Sequence, residues 1–330
     1  AEDRTPDKST IYDECDAVGI NYNLGIYDAV HKMRPDKPIF ASECCATGTT
    51  RDWNFDTAVF GRIRDKDKDT NDWFLGREKT YKFLRERAYV FGCYQWAAVE
   101  HRGEAAWPRV CSCSGALDLF LQKKGAFYQN KSHWTKDPMA HIVPHWNFKG
   151  LEGREIPVTV YTNCEELELF LNGKPLGKRQ IEKYGHGEWS VEYIPGTLEV
   201  KGYIGGKEVC CDKRVTTGRP AALKLTQDND FTANGSDIAL FTCECVDENG
   251  LTVPDAAEYV RFSVSAPAII IGTGSDNCDH NNVANTDRKM YMGKIRIAIK
   301  PKQGQVSFTL TAMSDNCGVC EKTVSLCTEN

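Results

Sequence analysis

The chain lacks any apolar run close to the roughly 20 residues that a helix needs to cross a bilayer, which excludes a helical membrane span. It also lacks a basic excess. Its 41 Lys and Arg stand against 46 Asp and Glu, with the two signs interspersed, so the net charge of −5 leaves no electrostatic footprint for nucleic acid. The start, Ala1-Glu-Asp-Arg-Thr-Pro6, has neither Met nor an apolar signal region, and the expectation is that the natural product begins upstream. Localisation stays open on these grounds.

Cysteine, by contrast, is abundant at 15 residues. An odd number without even spacing argues against a disulfide framework. Neighbours such as Cys44 and Cys45 are expected on opposite faces of a strand, and most of the thiols read as reduced, small apolar fillers. Cys243, Cys245, Cys317 and Cys320 match metal-ligand spacing poorly, and no metal or cofactor is expected.

A length of 330 residues with 41% hydrophobic content is that of a globular chain of two or three domains. The first third alternates strand and helix. Asp16-Ala-Val-Gly-Ile-Asn-Tyr22 is an apolar run followed by a helical stretch through Tyr27, Val30 and Met33 that stops at Pro35. A second apolar run, Lys37-Pro-Ile-Phe-Ala-Ser-Glu43, leads through a charged loop (Arg62 to Asp72) to a helix from about Gly76 to Arg87. The third strand is Val90 to Trp96, and a last helix lies near Gly125 to Trp134. These are pieces of a parallel α/β architecture, too few to close a barrel. The later two-thirds are all-β: Leu167, Leu169 and Leu171 alternate with Glu168 and Phe170 before Asn172-Gly173, a strong hairpin signal. Period-two patterning returns after the linker near Thr216 to Pro220, and Gly272-Thr-Gly274-Ser reads as a loop of that last module.

Glu43 ends its apolar run beside a serine. A strand-end glutamate is open to two readings, a nucleophile at the carboxyl end of a parallel strand or a plain cap or surface charge.

Taken together, Asp16 to Tyr22, Lys37 to Glu43, Tyr94-Gln-Trp96, Arg102-Gly-Glu104 and His141-Ile-Val-Pro-His-Trp-Asn147 resemble glycoside hydrolase family 2, the β-galactosidase type. Their order is similar to the end of that family's catalytic (β/α)8 barrel. Val158 to Asn163 and Leu167 to Gly173 resemble the β-sandwich that follows it, and Asp237 to Cys243, Asp247 to Pro254 and Arg288 to Gly293 resemble the terminal immunoglobulin-like domain. The resemblance implies a multidomain α/β plus all-β chain: the last three βα units of a TIM barrel at 1–137, then β-sandwiches at 138–218 and 219–330.

It implies a retaining hydrolysis of β-linked glycosides, most like a β-galactosidase, with β-glucuronidase or β-mannosidase specificity and a non-catalytic carbohydrate-binding scaffold as alternatives. Glu43 matches the nucleophile, Tyr22 the tyrosine that orients it, and Trp96 the aromatic floor of the sugar subsite. Asn21 and Glu104 are further substrate-binding candidates, Glu104 dividing evenly between a substrate hydroxyl and a structural bond to its loop. Arg51, Glu100 and His101 are weaker ones, the Glu100-His101 pair replacing the aspartate and aromatic residue usual in the family. The family's acid/base glutamate follows an asparagine on an earlier strand, and this chain has no such Asn-Glu pair. The N-terminal half of the same enzyme is therefore the implied partner besides the carbohydrate, and the isolated chain is expected to be inactive.

Overall fold

A computed structural model describes residues 10–54, 61–67 and 75–325. The charged start Ala1 to Pro6 and the last part of the Arg62 to Asp72 loop lie outside these residues. The protein is mostly β-sheet with few helices, and its contacts divide it into two compact units, one through Arg214 and one from Val215 onward.

The first unit opens with a short helix α1 (Ile11–Glu14), then β1 (Val18–Asn21), α2 (Tyr27–Met33), β2 (Ile39–Cys44), α3 (Arg77–Arg85), β3 (Val90–Gln95) and α4 (Gly125–Trp134). β1, β2 and β3 form one parallel sheet in that order. Val18, Ile20, Ile39 and Ala41 bury one face of it against Tyr27 and Val30 of α2 and Tyr81 and Leu84 of α3. Each Val, Ile or Leu side chain so buried contributes about 1.5–3 kcal/mol. The opposite face carries Phe40, whose ring meets those of Phe91 at 5.1 Å and Tyr94 at 5.9 Å. Phe91 and Tyr94 are 62% and 65% exposed, so this face of the sheet is open. Gly19 is required beneath it, because a Cβ there would come within 2.9 Å of Ser42 Oγ.

The chain continues through β4 (Ala140–Val143), β5 (Glu155–Thr162), β6 (Glu166–Leu171), β7 (Lys174–Gln180), β8 (His186–Glu192), β9 (Thr197–Ile204) and β10 (Lys207–Val215). These make two antiparallel sheets, β4-β5-β8 and β10-β9-β6-β7. Alternation supplies their shared core: Val158, Val160, Trp189 and Val191 from one, Leu167, Leu169, Leu198 and Val200 from the other. Asn172 and Gly173 both take positive φ, 51° and 78°, in the β6–β7 hairpin that their sequence announces.

A charged cluster ties α3 to β8. His186 Nδ1 lies 2.5 Å from Glu78 Oε2 and its Nε2 3.0 Å from Glu188 Oε1, while Lys82 bonds Glu78 at 2.8 Å and Lys66 bonds Glu188. Burial alone would lower the His186 pKa, but the two carboxylates outweigh it and raise it above the ordinary 6.5. Glu78, also half-buried, is held down to about 2 by His186 and Lys82 against the upward push of its burial. A raised histidine stabilises fully below its unfolded pKa and loses that stabilisation as pH climbs through the folded value. Denaturant unfolding should therefore show a greater loss of stability as the pH rises above about 6.5 in the parent than in His186→Ala. Equal pH slopes would rule this link out.

The second unit contains β11 (Ala222–Gln227), β12 (Ala239–Val246), β13 (Tyr259–Val264), β14 (Ile269–Gly274), β15 (Asp287–Lys289), β16 (Lys294–Lys300), β17 (Ser307–Ser314) and β18 (Gly318–Ser325). Its sheets, β11-β12-β16-β14 and β15-β13-β17-β18, close on Phe241, Cys243, Ile295, Ile297, Val260, Phe308 and Leu310.

Two expectations need correction. Gly272-Thr-Gly274 is no loop: it is the end of β14, paired to β16 past a register shift between Ile270 and Gly272, the kind of irregularity at which a strand glycine sits. Cys44 and Cys45 do not diverge either. The strand ends at Cys44, Cys45 turns to φ 63°, and both thiols are buried with sulfurs 3.3 Å apart.

Candidate active site

The carboxyl ends of β1, β2 and β3 carry the candidate residues. Parallel pairing sets Asn21 opposite Glu43 after a register shift at Ile20. Tyr22 N then donates to Glu43 O at 2.8 Å, and the backbone of Tyr22 turns to φ 58°, a conformation rare for a bulky residue. The turn brings the phenol across the strand end, where Tyr22 Oη donates to Glu43 Oε2 at 3.2 Å. Burial, then the charge of Glu43 and this bond, push the Tyr22 pKa far above its ordinary value. The phenol thus keeps its proton and serves as a fixed donor to the carboxylate.

Asn21 is held from the same side, its Oδ1 accepting a bond from Ser42 Oγ at 2.6 Å. Trp96 follows β3, with its backbone N donating to Cys44 O at 2.8 Å, which places it beside the Glu43 strand end. Its indole Nε1 donates to Glu104 Oε2 at 3.1 Å, which places the Glu104 carboxylate beside the Trp96 ring. Glu104 takes φ 48° after Gly103 at 113°, and its charge also reaches Tyr22. Tyr22, Glu43, Trp96 and Glu104 are therefore brought together.

Arg51 and Glu100 are not brought there. Arg51 Nε bonds Asp118 Oδ2 at 2.7 Å in the interior, and Glu100 pairs with Lys124 at 2.6 Å, both side chains inaccessible. His101 is close by instead: its ring stands edge-on to Trp96 at 5.4 Å, Nε2 lies 3.7 Å from Glu104 Oε2, and Nδ1 lies 3.2 Å from Ser112 Oγ. Sequence reasoning missed Ser42 and Ser112 as supports. Ser42 was visible as the serine preceding Glu43, whereas Ser112 was hidden between Cys111 and Cys113.

Chemically, the arrangement offers one carboxylate with an oriented donor at a strand terminus beside an aromatic face. Residues 223–323 match the model of the glycoside hydrolase family 2 C-terminal domain 5, and 153–210 match a domain of unknown function, DUF4982. The chain is 31% identical to Beta-galactosidase BoGH2A of Bacteroides ovatus, over 90% of this chain and 38% of that protein. This chain belongs to glycoside hydrolase family 2. It is similar to the C-terminal portion of family 2 proteins, and it spans well under half the length of the curated relatives it matches. A Beta-glucuronidase of Formosa agariphila is 29% identical over 88% of this chain and 31% of its own. The crystal structure of a beta-glycosidase from Bacteroides vulgatus superposes with a TM-score of 0.82 at 25% identity, over 94% of this chain and 45% of that one. No helix among the described residues is long and apolar enough to cross a membrane, and no group of His, Cys, Asp or Glu among them is placed to hold a metal.

Proposed function

We propose that this chain is the C-terminal part of a retaining β-glycosidase in which Glu43 is the nucleophile. The reading is carried by the Tyr22 to Glu43 hydrogen bond at the ends of adjacent parallel strands in a family 2 chain. In this reading residues 1–137 are the end of a (β/α)8 barrel, and 138–218 and 219–330 are two β-sandwich domains that buttress it. The open face bearing Phe91 and Tyr94 supports it, because earlier strands of a barrel would cover those rings.

Glu43 attacks the anomeric carbon as the bond to the leaving oxygen breaks, and a second glutamate about 5 to 5.5 Å away protonates that oxygen. Water then releases the sugar from Glu43, with the second glutamate acting as base. Tyr22 fixes the rotamer of Glu43, Trp96 packs against the apolar face of the ring, and Asn21 and Glu104 set the hydroxyl-facing wall. The second glutamate belongs to the N-terminal half of the same enzyme, on an Asn-Glu strand end. A β-galactoside is the substrate that the Bacteroides ovatus relative favours, and the Formosa agariphila relative favours a β-glucuronide as the second reading.

The test is to read the gene upstream of Ala1 and assay the full product on nitrophenyl β-galactoside and β-glucuronide, following the first-formed anomer by NMR. Turnover with a β-configured first product is the expected outcome, with none from the 330-residue chain alone. An inverted product, or unaided turnover by this chain, would falsify the respective part of the reading.

A further inference from the structure

A cavity of about 670 Å³ opens beside the carboxyl ends of α3 and α4, walled by residues that include Arg85, His133, Trp134, Lys136, Glu182 and Tyr184. That volume lies within the range of small-molecule sites, about 300–1,000 Å³. It is remote from Glu43. Arg85 closes α3 just ahead of Val90 at the amino end of β3, whereas Glu43 and Trp96 stand at the carboxyl ends of the strands, and the length of β3 corresponds to about 17–20 Å. The wall from Thr162 to Tyr184 falls inside the stretch that matches the domain of unknown function.

We propose that this cavity is a second carbohydrate-binding site, taking one pyranose unit of a glycan against the Trp134 indole. A pyranose has an apolar C–H face ringed by hydroxyls, so it needs a free aromatic face within a polar rim. Trp134 supplies the face. It is 56% exposed although His133 beside it is buried, and Tyr81 supports it from one side with rings 5.9 Å apart.

Another part of the wall is already organised. Tyr184 holds φ 67°, the Arg85 guanidinium lies 4.3 Å from its ring centroid, and the His133 ring is near-parallel to it at 5.8 Å. Arg85 is itself fixed by donating to His133 O. Such prior ordering lowers the entropy lost on binding. The polar rim comes from Lys136, Lys183 and Glu182.

His133 adds a polar group behind the wall. Its Nδ1 is buried and has no hydrogen-bond partner among the described residues, a state uncommon for an interior polar atom. Burial and the neighbouring Arg85 push its pKa down to about 4, so at neutral pH the ring carries one donor and one acceptor, as a sugar hydroxyl does.

The experiment is calorimetric titration of the natural polypeptide that contains this chain, with Glu43→Gln so that the probe survives, using a β-linked galactotetraose. The choice of probe rests on the glycosidase reading; the location of the site does not. A second binding event besides the one at the Glu43 site is expected, and Trp134→Ala should weaken that event alone at least about tenfold, equivalent to about 1.4 kcal/mol. Tyr184→Ala should do the same, while Trp134→Ala in the Glu43 enzyme leaves hydrolysis of a small aryl β-glycoside unchanged. Two variants that titrate like the parent, or a single binding event in the parent, would overturn the proposal. Failure of the hydrolytic reading would show separately, as absence of turnover in the Glu43 enzyme.

Discussion

Glu43→Gln, made in the natural polypeptide, is expected to reduce kcat/KM for an aryl β-glycoside by at least about 10³-fold, or about 4 kcal/mol of transition-state stabilisation. The amide keeps the size of the side chain and can still face Tyr22, so the fold and the Tyr22 position are conserved and the lost quantity is nucleophilicity. Tyr22→Phe removes only the 3.2 Å donor and should cost less, about 10- to 100-fold, mostly in kcat. Because the Tyr22 pKa is pushed above its ordinary 10.0, Tyr22 should add no alkaline limb to the activity profile below that pH. Steady-state kinetics of both variants with circular dichroism as the folding control decide the matter. Glu43→Gln turning over within tenfold of the parent would remove Glu43 from the nucleophile role.

The backbone that presents Glu43 was largely legible in the sequence. The runs from Asp16 to Tyr22 and Val90 to Trp96 contain β1 and β3, the run from Lys37 to Glu43 covers β2 up to its last residue, Cys44, and the helices near Gly76 to Arg87 and Gly125 to Trp134 contain α3 and α4. Long apolar runs and bounding prolines specify such elements locally, which is why they can be read. The contacts of the candidate site were less legible because they depend on non-local geometry. A register shift at Ile20 and a left-handed backbone at Tyr22 swing the phenol over Glu43, and neither leaves a mark in residue type. Likewise, nothing in the sequence pairs Glu104 with Trp96, a contact that forms only after the loop folds back. Cys44 and Cys45 show the same limit, since period-two reasoning fails at the residue where the strand stops.

Glu100 marks the sharpest separation between a residue suited to chemistry and a residue used for structure. Its carboxylate accepts a bond from Lys124 Nζ at 2.6 Å, both side chains are inaccessible, and Lys124 also donates to Cys113 O at 2.9 Å. Burial raises the Glu100 pKa and Lys124 opposes that rise, so the pair is matched only while both members are present. Lys124→Met should strand a buried carboxylate and destabilise the first unit by about 3–5 kcal/mol, and Glu100→Leu should strand the ammonium at similar cost. The double variant, with apolar groups of comparable volume facing each other, should recover most of that loss, because two desolvation penalties vanish with the attraction they offset. Denaturant unfolding of the four proteins closes the cycle, and at least about 2 kcal/mol of coupling is expected. Additive single losses would mean that the two charges do not depend on each other. Were Glu100 instead to serve the sugar directly, Glu100→Leu would lower turnover at temperatures where the fold is intact, and the double variant would not restore it; the buried pair predicts that activity follows the folded fraction in all four proteins.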